Sequence, residues 1–180
     1  VLIHGLNESG GSVSYHQLDV CDKAALSLLL MSCGDDATTK PFPALDGIFH
    51  LAGALDDGVL QQQTPQRFDT VLQPKLTGSS NLHELSIELN LSLSHFVLFS
   101  STASLLGSAG QSNHAAANAF MDGLAAMRQQ MGLAGLSINW SAWGEIGAVV
   151  NHQVGARINS KGMALMPPPD ALDYMGLAML

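Results

Sequence analysis

Ser101, His114 and Asn118 are the residues whose types and spacing suit them to act together. An apolar, strand-like run at residues 96–99 ends in two serines, and a loop of small residues follows. His114 and Asn118 then lie four positions apart in an alanine-rich stretch. On a helix that spacing places both on one face. A hydroxyl from a strand end, with an imidazole and an amide from the next helix, then meets at the carboxyl end of a sheet, where α/β folds bind ligands. A hydroxyl and an amide hold oxygen atoms or water, and an imidazole moves protons. Taken singly, serines at a strand end are commonly turn formers and a helical asparagine is commonly solvated, so the combination carries the argument.

The elements that must position these groups follow from periodicity and capping signals. Residues 13–18 alternate like a strand, and Asp22 is placed to cap a helix from Lys23 to about Cys33. A polar connection at residues 34–43 leads to a strand at 45–50, which runs into Ala52 and Gly53. Thr64 and Pro65 mark a helix start, with helical segments expected at 65–72 and 74–89. The strand at 96–99 precedes a long helix at 112–131, closed by Gly132, and another strand is expected at 136–140. Pro167, Pro168 and Pro169 break the chain before a last helix that starts near Asp170. Strands alternating with helices imply right-handed crossovers and a parallel sheet, hence an α/β Rossmann-like doubly wound fold in one domain over residues 1–180.

Composition narrows the function classes. The chain has 180 residues, 47% hydrophobic and only 12% charged, which suits one α/β core. The net charge of −8 carries no clustered Lys and Arg, so a nucleic-acid surface is not expected. Cys21 and Cys33 stand apart, and His16, His83, His95 and His152 have no ligand spacing, so neither a disulfide framework nor a metal site is suggested. The sequence has no apolar run of membrane-spanning length and no export signal, and a cytoplasmic location is expected.

The segments HQLDVCD, GIFHLAGALDDGVL, VLQPKLTGSSNLHEL, FVLFSSTASLLGSAGQSNHAAANAFMDGLA and LSINWSAWGEIG resemble successive parts of the ketoreductase domain of modular type I polyketide synthases, a branch of the short-chain dehydrogenase/reductase superfamily. The resemblance implies NADPH-dependent reduction of a β-ketoacyl chain carried as a thioester on an acyl carrier protein, alongside other domains of the same synthase. It assigns Ser101 to the substrate carbonyl, Lys75 to tuning the proton donor and Asn118 to the lysine and water relay. His114 stands at the position of the family's proton-donating tyrosine. A lysine supplied by an earlier helix, with an asparagine four residues after the donor, is the swapped order of this branch, and Lys75 and Asn118 follow it.

For the dinucleotide, the resemblance places Asp19 and Val20 beside the adenine, and His50, Leu51, Ala52 and Gly53 under the cofactor. Asn139 and Trp140 fall beside the nicotinamide. Two readings of Asp19 stand, as an adenine contact or as a strand-end turn, and Trp140 also reads as core. Leu55, Asp56 and Asp57 match the signature of B-type reductases, and Leu106, eight residues before His114, is not the tryptophan of the opposite type. Gly5, Gly10 and Gly11 do not form the phosphate-binding glycine loop, so the resemblance implies an N-terminally truncated fold that begins before the family's third strand.

His114 decides between an enzyme and a relic. A phenol titrates near ~10 and a neighbouring cation lowers it usefully, whereas imidazolium titrates near ~6.5 and the same cation lowers it further. Neutral imidazole is a very weak acid. The expectation is therefore an impaired NADPH-dependent ketoreductase; the alternatives are a non-catalytic domain kept as scaffold and a fatty-acid synthase ketoreductase.

Overall fold

The structure, a computed structural model, describes residues 11–34, 38–144, 162 and 164–180. Gly5, Gly10, His152 and residues 145–147 of the last quoted segment lie outside the described residues. In chain order the elements are helix α1 (Lys23–Met31), strand β1 (Gly47–His50), a short 3-10 turn (Leu60–Gln62) and helix α2 (Pro65–Leu72). A π-helical turn (Gln73–Thr77), helix α3 (Gly78–Glu88), strand β2 (His95–Ser101) and the short helix α4 (Ala103–Leu106) follow. Helix α5 (Ser112–Gln130), strand β3 (Leu136–Trp140) and helix α6 (Pro168–Ala178) complete the order.

Local chemistry explains the helix ends. The Asp22 carboxylate accepts the Ala25 amide at 3.0 Å, and the Thr64 hydroxyl accepts that of Arg67 at 3.3 Å ahead of Pro65 at the first helical position. Gly132, at φ 73°, takes the left-handed conformation that closes α5. The chain does not break at Pro74. Because proline has no N–H to donate, the backbone widens into the π turn and continues directly into α3.

The three strands are parallel in the order β1-β2-β3, with Ile48 opposite Phe96 and Leu98 opposite Ser137. Strand order follows chain order, so both crossovers lay their helices on one face. Alternation sends Ile48, Phe96 and Leu98 to that face, where they pack with Leu26, Leu30, Leu82, Leu85, Met121 and Leu124. Phe99 and Trp140 lie on the opposite face and pack with Trp143 in tilted and edge-on contacts, their ring centroids 4.9–6.3 Å apart. The result is the expected Rossmann-like α/β sheet. No helix among the described residues is long and apolar enough to cross a membrane.

One expected element is missing. Residues 13–18 do not form a strand and are largely exposed. Alternation alone does not make a strand, because the backbone needs a neighbouring ladder, and no strand pairs with this stretch among the described residues.

Candidate active site

Lys75 is the most constrained residue of the site. It sits in the π turn, only 6% exposed, and its ammonium donates to the Phe99 carbonyl at 3.0 Å, two residues before Ser101. Its stem runs against Gly53, where a Cβ would lie 3.2 Å from the lysine Cε. Burial lowers its pKa to about 8, with the Asp122 carboxylate opposing. Lysine heads on helices are ordinarily exposed, and this one is not.

His114 and Asn118 share one face of α5, as their spacing requires. The Asn118 amide group donates to the His114 carbonyl at 2.7 Å, and its Oδ1 is buried with no hydrogen-bond partner. Nδ1 of His114 is likewise buried without a partner. Burial first, and then the Lys75 charge, lower the His114 pKa, while Asp57 opposes. The imidazole is therefore neutral near pH 7, with its ring beside a buried cation.

The two serines divide their work. Ser100, in phase with Leu98, turns towards α5, and its hydroxyl donates to the Asn118 carbonyl at 3.3 Å. Ser101 stands half-buried at the carboxyl edge of β2, where its Oγ accepts the Ala103 amide at 3.2 Å. The structure thus places Lys75, His114 and Asn118 around the end of β2, with the Ser101 hydroxyl at the rim and held by the following turn.

Among the residues assigned to the dinucleotide, Asp19 is exposed and its Oδ1 accepts the Cys21 amide at 2.9 Å, forming a turn. Val20 packs against α3, where a Cβ on Gly78 would meet Val20 Cγ1 at 2.6 Å, and Asn81 donates to the Val20 carbonyl at 3.1 Å. Leu51 is 60% exposed past the end of β1, and Ala52 and Gly53 continue from it. Trp140 is core, tilted against Phe99 and edge-on to Trp143, with its indole N–H unpartnered. The Asn139 amide points inward to Ser104 Oγ and Asp122 Oδ2, both at 2.9 Å, and so fits a nicotinamide contact least of the set.

His50 is buried and its Nε2 has no partner. Burial and then the Lys75 charge push it down to about 4 from 6.5, although the Pro74 carbonyl offers a hydrogen bond. The unfolded imidazole takes a proton near 6.5 and the folded one only near 4, so protons favour unfolding between these values. Stability contributed by neutral His50 is intact above the upper value and falls by about 3 kcal/mol as pH drops through the window. Urea titrations at stepped pH should show this slope, and His50→Asn should flatten it. An equal slope in the variant would assign the acid sensitivity to other groups.

The signature acids after Leu55 bind the loop to the His114 turn. Asp56 pairs with Arg67 at 3.4 Å, the Gln111 amide group lies 3.0–3.1 Å from both Asp57 oxygens, and Asn113 donates to the Asp56 carbonyl at 2.8 Å. Sequence reasoning missed Arg67, Gln111 and Asn113, and with them Asp122, Ser104 and Ser137. The signal available for Asp122 was its spacing, four residues after Asn118 and eight after His114, which continues the same helical stripe.

Comparison with known proteins agrees with this geometry. Residues 1–145 match the KR domain family. A type I polyketide synthase of phenolphthiocerol synthesis from Mycobacterium marinum is 42% identical over 173 residues, covering 94% of this chain and 8% of that protein. The polyketide synthase GfsA of Streptomyces halstedii is 43% identical over 178 residues, covering 97% of this chain and 2% of that protein. Among solved structures, an A-type ketoreductase from a modular polyketide synthase superposes with a TM-score of 0.89 at 36% identity, covering 99% of this chain and 36% of that one. The chain thus spans a small part of its curated relatives and about a third of the ketoreductase structure. With the parallel sheet, the buried lysine and the helical His114 and Asn118 in place, the chain belongs to the ketoreductase (KR) domain family of modular type I polyketide synthases, with the short-chain dehydrogenase/reductase fold.

Proposed function

We propose that this chain forms part of an NADPH-dependent β-ketoacyl reductase whose proton delivery is impaired by His114. The substrate is a β-ketoacyl thioester on an acyl carrier protein and the product is the β-hydroxyacyl thioester, made in the cytoplasm beside other domains of the synthase. The observation that carries this reading is the retained frame. Lys75 is buried and bonded to the end of β2, with Asn118 beside it and Ser101 at the rim. A relic under no such demand has little reason to keep a cation out of water, which costs several kcal/mol, on the order of a functional group's worth.

The close approach at Gly53 and the exposed Leu51 suit a cofactor lying across the ends of β1 and β2, with Asp19, Val20, His50 and Lys75 near its path. Asn139 and Trp140 are the weaker members of the set, one committed inward and the other to core. NADPH, when bound, supplies the hydride that reaches the β-carbon. The chain's own part is to hold the carbonyl oxygen at Ser101 and deliver a proton to it. His114 can deliver that proton only as imidazolium, which its surroundings disfavour. That disfavoured imidazolium supports the second reading, a scaffold without turnover.

A pH profile of NADPH consumption by the full-length protein with a β-ketoacyl thioester separates the two. An imidazolium acid gives a rate that goes on rising as pH falls past the ordinary histidine value, because burial and the Lys75 charge lower the His114 pKa. A scaffold gives no rate at any pH, and that result would overturn the reductase reading.

A further inference from the structure

Helix α5, which carries His114 and Asn118, begins without a side-chain cap. Gln111, just ahead of its first residue, makes no capping bond, and the first turn holds no acid. Asn113 takes over that work from inside the helix. It is fully buried, and its Oδ1 accepts the His114 amide at 2.8 Å. Its Nδ2 donates to the Asp56 carbonyl at 2.8 Å and to the Arg67 carbonyl of α2 at 3.3 Å. The neighbours fix which way the group points, because a backbone N–H can only donate and two carbonyls can only accept. One side chain thus joins the backbone of residue 114 to the loop of Asp56 and to α2.

Other contacts link the same segments nearer the surface. The Gln111 amide group reaches the carboxylate of the exposed Asp57, Arg67 pairs with the half-buried Asp56, and the Gly58 amide donates to the Gly110 carbonyl at 2.8 Å. Water competes for exposed contacts, whereas removing a buried amide leaves its partners unsatisfied. The weight therefore falls on Asn113 rather than on the two signature carboxylates. We propose that Asn113 is a positioning residue: by tying the backbone of residue 114 to the Asp56 loop and to α2, it sets where the side chain at 114 stands in the site. The proposal rests on the reductase reading for what that position serves, but not for whether it is held.

Two measurements on the full-length protein test it. The first is the rate at which diethyl pyrocarbonate labels the His114 ring, read by mass spectrometry, with His83 of α3, held by Arg128 at 2.9 Å, as the internal control. Asn113→Asp keeps an acceptor for the His114 amide, which is all that capping needs, but a carboxylate cannot donate to the two carbonyls. It should speed His114 labelling by about tenfold, as a local opening does, and leave His83 unchanged. The second is turnover in the His114→Tyr background. There Asn113→Asp should lower kcat by about tenfold to a hundredfold, the cost of a slightly misplaced reacting group, and change KM by less than about twofold. Unchanged His114 labelling, faster labelling of both histidines, or an undiminished kcat would each overturn the positioning role. Should Asn113→Asp not fold, Asn113→Ser, whose hydroxyl can meet the His114 amide but cannot span to both carbonyls, is held to the same outcomes. If the His114→Tyr background never consumes NADPH, the reductase reading fails, and the labelling alone decides the Asn113 assignment.

Discussion

His114→Tyr is expected to raise NADPH-dependent reduction of a β-ketoacyl thioester by about a hundredfold to ten-thousandfold near pH 7, the usual worth of a positioned general acid. The argument rests on opposite responses to one cation. A phenol beside the buried Lys75 is drawn down towards the working pH, whereas the imidazole of His114 is already neutral there and is held so by burial and by the same charge. Lys75, bonded to the Phe99 carbonyl, and the unpartnered Oδ1 of Asn118 are both in place to serve a restored donor. The comparison should use kcat as well as kcat/KM, since a lost proton donor acts on the transition state rather than on binding. An unmodified protein that already matches the variant's rate would show that histidine is an adequate acid here and end the impaired-donor account.

Once a tyrosine has made turnover easy to measure, Ser101→Ala in that background should cost about a hundredfold to a thousandfold in kcat, the magnitude of a lost oxyanion-type donor, with little change in KM. The structure makes this a discriminating experiment, because two adjacent serines end β2. Ser100 is turned inward to the Asn118 carbonyl and the Asn139 amide, while Ser101 sits at the open edge and accepts only the Ala103 amide among the bonds described for its hydroxyl. Ser100→Ala should therefore lower stability by about 1 kcal/mol, the net worth of a buried hydrogen bond, and leave most of the turnover. If Ser100→Ala abolishes reduction and Ser101→Ala does not, the carbonyl contact belongs to the inward serine and the site has been assigned to the wrong hydroxyl.

Helix starts and stops were legible in the amino acids themselves, because caps act over a few residues. Asp22, Thr64 with Pro65, and Gly132 each do locally what their types predict. The strands at β1, β2 and β3, their alternation with helices and the shared face of His114 and Asn118 likewise follow from periodicities of two and 3.6. The family was readable too, since the quoted segments run through most of the chain in order.

Other features needed the assembled fold. Residues 13–18 have the pattern of a strand, but pairing depends on a neighbour that pattern cannot supply. That Lys75 is buried in a π turn, that Ser100 turns in while Ser101 turns out, and that the acids at 56 and 57 clasp Arg67 and Gln111 are matters of which distant groups meet. Asp122 is the plainest case: in the sequence it is one acid on an alanine-rich helix, and only β3 and α4 provide the donors that keep it charged. The shifts of His50, Lys75 and His114 arise the same way, because desolvation and charge proximity depend on distances through space rather than along the chain. Residue types and spacing determined what kind of site this is, and tertiary packing decided which protonation states it holds.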